Sequence, residues 1–378
     1  MTSKAYVIVL VSVTIFTLFV IATVNYIIDP DNLYRSNKAS TFSKNYVQKL
    51  LSSTNGLLLP QADINFREIK SEMADQLRGG YDCAILGSSH VLQVGLNSTK
   101  ENGNNSTCKS IVNLSVPSTT IEDFLSLLLV LSNNDNAPKT IVLNIDPWSL
   151  NLSMNSRWMV NKNDFIEMRN ILNINHLYDT QDENSIVDYI SNLFNYYYFI
   201  HSIKKIGSRP YMSEAPVFNY EDGYDTAVLL PNGSLLYSNE YINNHRNIHV
   251  PVPPSIRMRE GKLDIGKTTM IGRLRVNELG MYYSMDAINV ISILVNYMKK
   301  NGFSIVFMMT PHHHNILKNP NSRSALAISQ VEPIIRSLGD KLGVNVLGSF
   351  NPNTVGCTDD QFYDDTHAKP LCLNRILN

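Results

Sequence analysis

CAILGSSH, residues 83 to 90, is the stretch on which the reading of this chain turns. Its apolar part runs without alternation, which is what a strand buried on both faces of a parallel sheet requires. Gly87 then allows a tight turn, and Ser88 and Ser89 open the next element. Four more runs of the same kind follow: SIVNLSV (110–116), TIVLNID (140–146), FSIVFMMT (303–310) and VNVLGSF (344–350). Helical patterns lie between them. Thr120 with Asp123 forms a capping signal ahead of FLSLLLVL (124–131). Residues 285–300 and 324–342 also read as amphipathic helices, and Pro333 is expected to kink or interrupt the second. Strand and helix in this alternation predict an α/β fold, a doubly wound, mainly parallel five-stranded sheet with right-handed crossovers.

Outward from this framework the chain changes character. Residues 29–80 are polar and mixed, with helices expected near Phe42 to Ser52 and Phe66 to Arg78, and read as a helical stalk packed on an α/β domain spanning 81–378. The segment from about 150 to 283 is too long for one crossover and is rich in Asn, Tyr and Ser, so it reads as an insertion forming a cap. The tyrosines at 196–198 fit a sugar-binding surface or, more simply, core packing at helical spacing. Before the stalk, YVIVLVSVTIFTLFVIATVNYII (6–28) carries no charge. About 20 apolar residues suffice for a helix to cross the hydrocarbon layer, so residues 1–28 are expected to be an uncleaved transmembrane anchor. Lys4 lies on one side and Arg35, Lys38 and Lys44 on the other, so positive charge does not by itself orient it.

Composition narrows the function. The 378 residues are 44% hydrophobic and 17% charged, enough for a sizeable core. With 32 Lys and Arg against 33 Asp and Glu the formal charge is −1, which provides no global attraction for nucleic acid. The four cysteines, Cys83, Cys108, Cys357 and Cys372, lack C-x-x-C spacing and zinc-type histidine partners, so no metal site is expected. Two local disulfides, Cys83 with Cys108 and Cys357 with Cys372, are the pairing expected, and they place the body outside the cytosol. Four reduced, buried thiols are the alternative.

In an open parallel sheet, ligands sit beyond the carboxyl ends of the strands, so the residues after each apolar run carry the chemistry. Ser89 follows the first run, at a turn whose amide groups favour developing negative charge. Near the other end of the chain, FYDDTH (362–367) places Asp364 three residues before His367. A carboxylate there accepts the imidazole Nδ1 proton and leaves Nε2 to take one from a serine, the activation a weakly nucleophilic hydroxyl needs. Neither half is specific alone; Gly-Ser-Ser after a strand is commonly a helix cap. Both together, joined by an α/β pattern, are far more specific. The run His312, His313, His314 follows the fourth strand. Successive side chains diverge, so His313 is expected to line the cleft rather than to bind metal, with a solvated loop as the alternative. Arg157 beside Trp158 is a candidate for holding an anionic or sugar group, or an Arg stacked on Trp at the surface.

On these residues the chain resembles the SGNH (GDSL-like) hydrolase superfamily, in its membrane-anchored branch that includes the D-alanyl-lipoteichoic acid protein D family and the alginate O-acetylation proteins. The resemblance covers the anchor, residues 80 to 150 and 285 to 378. It implies that Ser89 is the nucleophile, with Ser88 where an aspartate usually stands, and that Asp364 and His367 are its partners. It implies oxyanion donors after the second and third strands, where this chain departs from the pattern: Ser115 replaces a glycine, and Asn144 or Asp146 stands near the expected asparagine. An ionised carboxylate repels an oxyanion, so Asn144 takes the place or Asp146 has another task.

The function expected is a membrane-anchored, periplasmic acyl transferase or esterase, acetyl being the acyl group, acting on a cell-surface glycan without cofactor and receiving acyl groups from a membrane-embedded donor protein. The alternative is a non-catalytic scaffold or glycan-binding protein of the same fold; a secreted lipase fits the anchor and the Asn-rich insertion less well. Disulfide mapping of membrane-expressed protein is expected to find both local pairs and no free thiol, and four free thiols would overturn the extracytoplasmic placement.

Overall fold

Residues 3–29, 34, 41–59, 65–96, 108–152, 154–155, 157–178, 190–208, 227–237, 277 and 280–377 are described by the structure, a computed structural model. In chain order the strands are Leu57–Leu58 (β1), Cys83–Leu86 (β2), Ile111–Asn113 (β3), Thr140–Asn144 (β4), Val228–Leu229 (β5), Leu235–Leu236 (β6), Ser304–Met309 (β7) and Asn345–Gly348 (β8). The helices are Ser3–Ile28 (α1), Thr41–Ser52 (α2), Phe66–Asp75 (α3), Ile121–Ser132 (α4), Lys162–Ile171 (α5), Tyr196–Ser208 (α6), Met285–Lys300 (α7), His314–Lys318 (α8), Arg323–Leu342 (α9) and Pro370–Leu377 (α10). The five apolar runs form one parallel sheet in the order β3-β2-β4-β7-β8. Each strand is two to four residues shorter than its run, chiefly because the last residues of the run turn over the sheet edge.

Alternation along each strand divides the core between two faces. Ala84, Leu86, Ile141, Leu143, Ile305, Phe307 and Met309 point to one face, shared with Phe124 and Leu128 of α4, Val290 and Leu294 of α7, and Val331 and Ile335 of α9. Cys83, Ile85, Val142, Val306 and Met308 point to the other, shared with Cys372, Leu373 and Ile376 of α10. Full burial of each such side chain is worth roughly 1.5–3 kcal/mol, so covering both faces dominates the energetics. Pro333 lies inside α9 without ending it. One backbone bond is lost there, while Ala327, Ile328, Val331, Ile335 and Leu338 stay buried on both sides of the proline. The thinner second face carries both disulfides, Cys83–Cys108 and Cys357–Cys372, with Cα separations of 5.6 and 5.5 Å.

Helices α2 and α3, ahead of β2, pack into the body. Tyr46, Val47 and Leu50 of α2 and Ile69 and Met73 of α3 share the first core. Arg67 makes a bidentate ion pair with Asp123, 2.7 and 2.8 Å, while Asp123 also closes the capping box by accepting from the Thr120 amide at 2.9 Å. Within the segment expected as an insertion, α5 packs on α4, and β5 and β6 join β1 in a three-stranded antiparallel sheet. The β5–β6 turn is fastened to the main sheet by Asn113 N–H donating to the Asn232 carbonyl at 2.7 Å. It is also held by Lys70 Nζ, fully buried, which donates to the carbonyls of Asn113 and Gly233.

Burial lowers the Lys70 amine from its ordinary 10.5 to about 7. Between those values the unfolded chain keeps a proton that the folded chain has released, so this group makes stability rise with pH across that window and adds no slope below it. The difference in Tm between wild type and Lys70→Met is expected to grow in favour of wild type as pH rises from about 7 to 10.5 and to stay constant at lower pH. A difference independent of pH would show the amine charged throughout.

Candidate active site

Every strand of the parallel sheet ends on the same edge, and there the chain brings residues from both of its ends together. Gly87 leaves β2 so close to β4 that a Cβ on it would lie 2.6 Å from the Asn144 Cβ. The chain therefore turns tightly under the loop after β3, whose Val116 amide donates to the Gly87 carbonyl at 2.9 Å. Ser88 caps the single 3-10 turn Ser89–Val91, its hydroxyl accepting from the His90 amide at 3.2 Å. Asn113, at the end of β3, holds the next residues by donating to the carbonyls of Val91 at 2.7 Å and Val94 at 3.0 Å. The backbone on either side of Ser89 is thus held in place.

The opposite half comes from the segment between β8 and α10. Phe362 bridges to Ala368, and the Tyr363 amide donates to the His367 carbonyl at 2.8 Å, folding 363–367 into a closed turn. Inside it Asp364 Oδ1 accepts from the amides of Thr366 and His367, both at 2.8 Å, and the carboxylate lies 2.9 Å from His367 Nδ1 through either oxygen. His367 Nε2 lies 3.0 Å from Ser89 Oγ, across 278 residues of sequence. Burial alone would raise the Asp364 carboxyl. The charge and hydrogen bond of His367 and the amides of Thr366 and His367 outweigh it and hold the group below its ordinary value. An ionised Asp364 accepts the Nδ1 proton, which leaves Nε2 as the acceptor for the serine hydroxyl. Thr366 Oγ1, 3.1 Å from Nδ1 and 3.2 Å from Asp364 Oδ1, closes the ring from the side.

A second imidazole and carboxylate stand beside the first. His90 Nδ1 lies 2.8 Å from Asp146 Oδ1, both groups buried, and its ring meets those of His367, Trp148 and His312 edge-on at 4.8, 5.2 and 5.3 Å. Burial lowers the His90 pKa against the opposing pull of Asp146. His312 is lowered well below the ordinary value, first by burial and then by its histidine neighbours. Both stay neutral at physiological pH. Among the described residues, Asn144 Oδ1, Asp146 Oδ2, Thr310 Oγ1 and both ring nitrogens of His312 are buried without a protein hydrogen-bond partner, so the edge at β4 and β7 keeps spare polar capacity.

The other sequence candidates sit as follows. Asp146 is turned to His90, and its own amide donates to Ser149 Oγ at 3.1 Å. Asn144 directs its amide group to the Met308 carbonyl at 3.3 Å. The Ser115 amide donates to Asn113 Oδ1 at 3.1 Å, so that donor is engaged within its own loop. Arg157 is exposed and reaches Ser118 Oγ at 3.5 Å. His313 accepts from the Asn315 amide at Nδ1 and lies 3.3 Å from Asp359 through Nε2, while its ring packs on Phe362. His312, held by its amide on the Phe350 carbonyl and by ring stacking on Phe350, is the histidine of the three whose ring lies against His90. Tyr198 turns its hydroxyl to Asp29 at the end of α1.

Sequence reasoning assigned no role to His90, His312, Asn113 or Thr366. His90 had a signal in its position directly after Ser89; for His312 only the packing of Phe350 selects it from the run. No family model matches the chain, and no curated protein matches it either.

The proton shared by His367 Nδ1 and Asp364 is expected to give a resonance downfield of the amide envelope in proton NMR. It should persist in Ser89→Ala and vanish in Asp364→Ala; its absence from wild type would remove the hydrogen bond on which the site's polarity rests.

Proposed function

We propose that this chain is a membrane-anchored, extracytoplasmic enzyme of SGNH type that transfers an acyl group, acetyl above all, to a cell-surface glycan, or removes it, through Ser89, His367 and Asp364. The observation that carries this is the 3.0 Å contact of Ser89 Oγ with His367 Nε2, whose far side is held by Asp364. The strand order β3-β2-β4-β7-β8 supports the doubly wound fold. Its connections through α4, α7 and α9 run over one face, while Val91, Val94 and Cys108, from the β2–β3 connection, lie on the other. Ser89 then follows the strand at which the winding reverses, where ligands bind in such sheets. Two disulfides favour an oxidising compartment. Asn25 and Asp29, buried against residues 192–202 and Tyr198, favour α1 being retained rather than removed.

In the first half-reaction Ser89 Oγ attacks the acyl carbonyl as its proton passes to His367 Nε2, and Asp364 steadies the imidazolium. The tetrahedral intermediate collapses by breaking the bond from the acyl carbon to the donor oxygen. That oxygen takes the proton from His367, leaving acyl-Ser89. A glycan hydroxyl, or water, then gives its proton to His367 and attacks the acyl-serine, and Ser89 regains its proton as it leaves. His90, fixed by Asp146 and packed edge-on to His367, restricts the ring on which both proton transfers depend. A membrane-embedded donor protein suits a tethered transferase, because tethering raises effective concentration without new contacts.

A non-catalytic, glycan-binding reading draws on one observation: the Ser115 amide and the Asn144 side chain, two expected oxyanion donors, are engaged with Asn113 and Met308. Hydrolysis of an aryl acetate by the full-length detergent-solubilised chain separates the two. Ser89→Ala and His367→Ala are each expected to lower the rate by on the order of 10²–10⁴-fold, and a fluorophosphonate is expected to label Ser89. Equal rates in wild type and Ser89→Ala, without labelling, would leave the binding reading standing.

A further inference from the structure

Helix α6 carries an apolar surface that the described residues of the body leave exposed. Tyr196 is 61% exposed, Tyr197 83%, Ile203 46% and Ile206 45%, and Phe194, just before the helix, is 46% exposed. The same segment is tied by buried polar bonds to the end of α1. Asn25 Nδ2 donates to the carbonyls of Asn192, Leu193 and Asn195 at 3.2, 2.9 and 3.2 Å, and Ser202 Oγ donates to Asn25 Oδ1 at 3.1 Å. Asp29 accepts from the Tyr198 hydroxyl at 2.9 Å and from the Tyr34 amide at 3.0 Å. The position of α6 along α1 is therefore set by side chains on both partners.

That position has a consequence once α1 is given its length. A hydrocarbon core about 30 Å thick takes about 20 helical residues. Lys4 is the last charge before the uncharged run, and about 20 residues from Tyr6 end at Asn25, the residue that grips 192–195. Residues 6–20 of α1 are exposed and mostly apolar, Phe16 at 68% for instance, residues 21–24 are half-buried, and Tyr26 and Ile27 continue the exposed surface past Asn25 at 58% and 57%. The uncovered face of α6 thus begins at the depth where the hydrocarbon ends. Its residue types, tyrosine and phenylalanine beside isoleucine, are those that settle at the boundary between hydrocarbon and headgroups.

We infer that α6 is a membrane-interface helix: the occupant of its apolar face is the lipid bilayer around the exit of α1, with Phe194, Tyr196, Tyr197, Ile203 and Ile206 inserted at headgroup level. The body is then held on the bilayer at two places and not on a free tether. This rests on α1 spanning the membrane, and the test keeps the two apart. Single tryptophans are introduced into the full-length chain, reconstituted in phosphatidylcholine vesicles, at Tyr197→Trp, Ile203→Trp, Phe16→Trp and Ile293→Trp on α7. The signal of the native Trp148 and Trp158, both buried, is subtracted using the parent.

Quenching is measured with lipids brominated near the headgroup, with lipids brominated near the chain ends, and with aqueous iodide. Tyr197→Trp and Ile203→Trp are expected to be quenched by the shallow bromolipid and protected from iodide, Phe16→Trp by the deep bromolipid, and Ile293→Trp by iodide alone. Failure of both bromolipids to quench Phe16→Trp removes the spanning helix and the inference with it. Deep quenching of Phe16→Trp with iodide quenching of Tyr197→Trp overturns the inference and leaves the anchor. Protection of Tyr197→Trp from both quenchers also overturns it, because a second copy or another protein then covers the face.

Discussion

A parallel sheet has one chemically distinctive edge, and the arrangement of this protein follows from that constraint. Because β2, β3, β4, β7 and β8 all run the same way, the residues leaving them emerge side by side, however far apart they stand in sequence. Ser89 leaves β2, Asn113 and Asn144 end its two neighbours β3 and β4, and Thr310 and His312 leave β7. The segment after β8 then returns over the same edge with Asp364 and His367. The Ser89 hydroxyl and the His367 imidazole come within one hydrogen bond because both segments emerge over the same edge of the sheet.

The electrostatics of the edge depend on what is kept neutral. His90, His312 and His367 have rings in mutual contact or nearly so, and three charged imidazoles could not share that space. Burial removes the charge from His90 and His312, so the carboxylate of Asp364 acts on His367 without competition from a neighbouring cation. Asp146 satisfies His90 in the same manner as Asp364 satisfies His367. The residue that looked least compatible with an oxyanion in sequence is thereby accounted for as half of a supporting pair.

The framework was legible in the sequence because its signals are local and physical. Continuous apolar runs marked all five strands, the Thr120 and Asp123 capping pair marked the start of α4, and the spacing of Asp364 and His367 marked a hydrogen bond that needs only a tight turn. What was not legible depends on contacts between distant segments. The engagement of the Ser115 amide depends on the Asn113 side chain, the choice of His312 over His313 on Phe350, and the unbroken course of α9 on burial either side of Pro333. The stretch holding β5 and β6 carries turn signals and short strand-like pieces in sequence, but the pairing of β1 with β5, two-residue strands about 170 residues apart, left no local signal.

One covalent feature links the chemistry to its surroundings. Asp364 and His367 both lie within the ring closed by Cys357 and Cys372, while Cys83 and Cys108 secure the strand that delivers Ser89. The segments that carry His367 and Ser89 are each held by a bond that a reducing environment opens. A copy with all four thiols reduced would carry the same residues without these two covalent restraints on the segments that meet at Ser89 and His367.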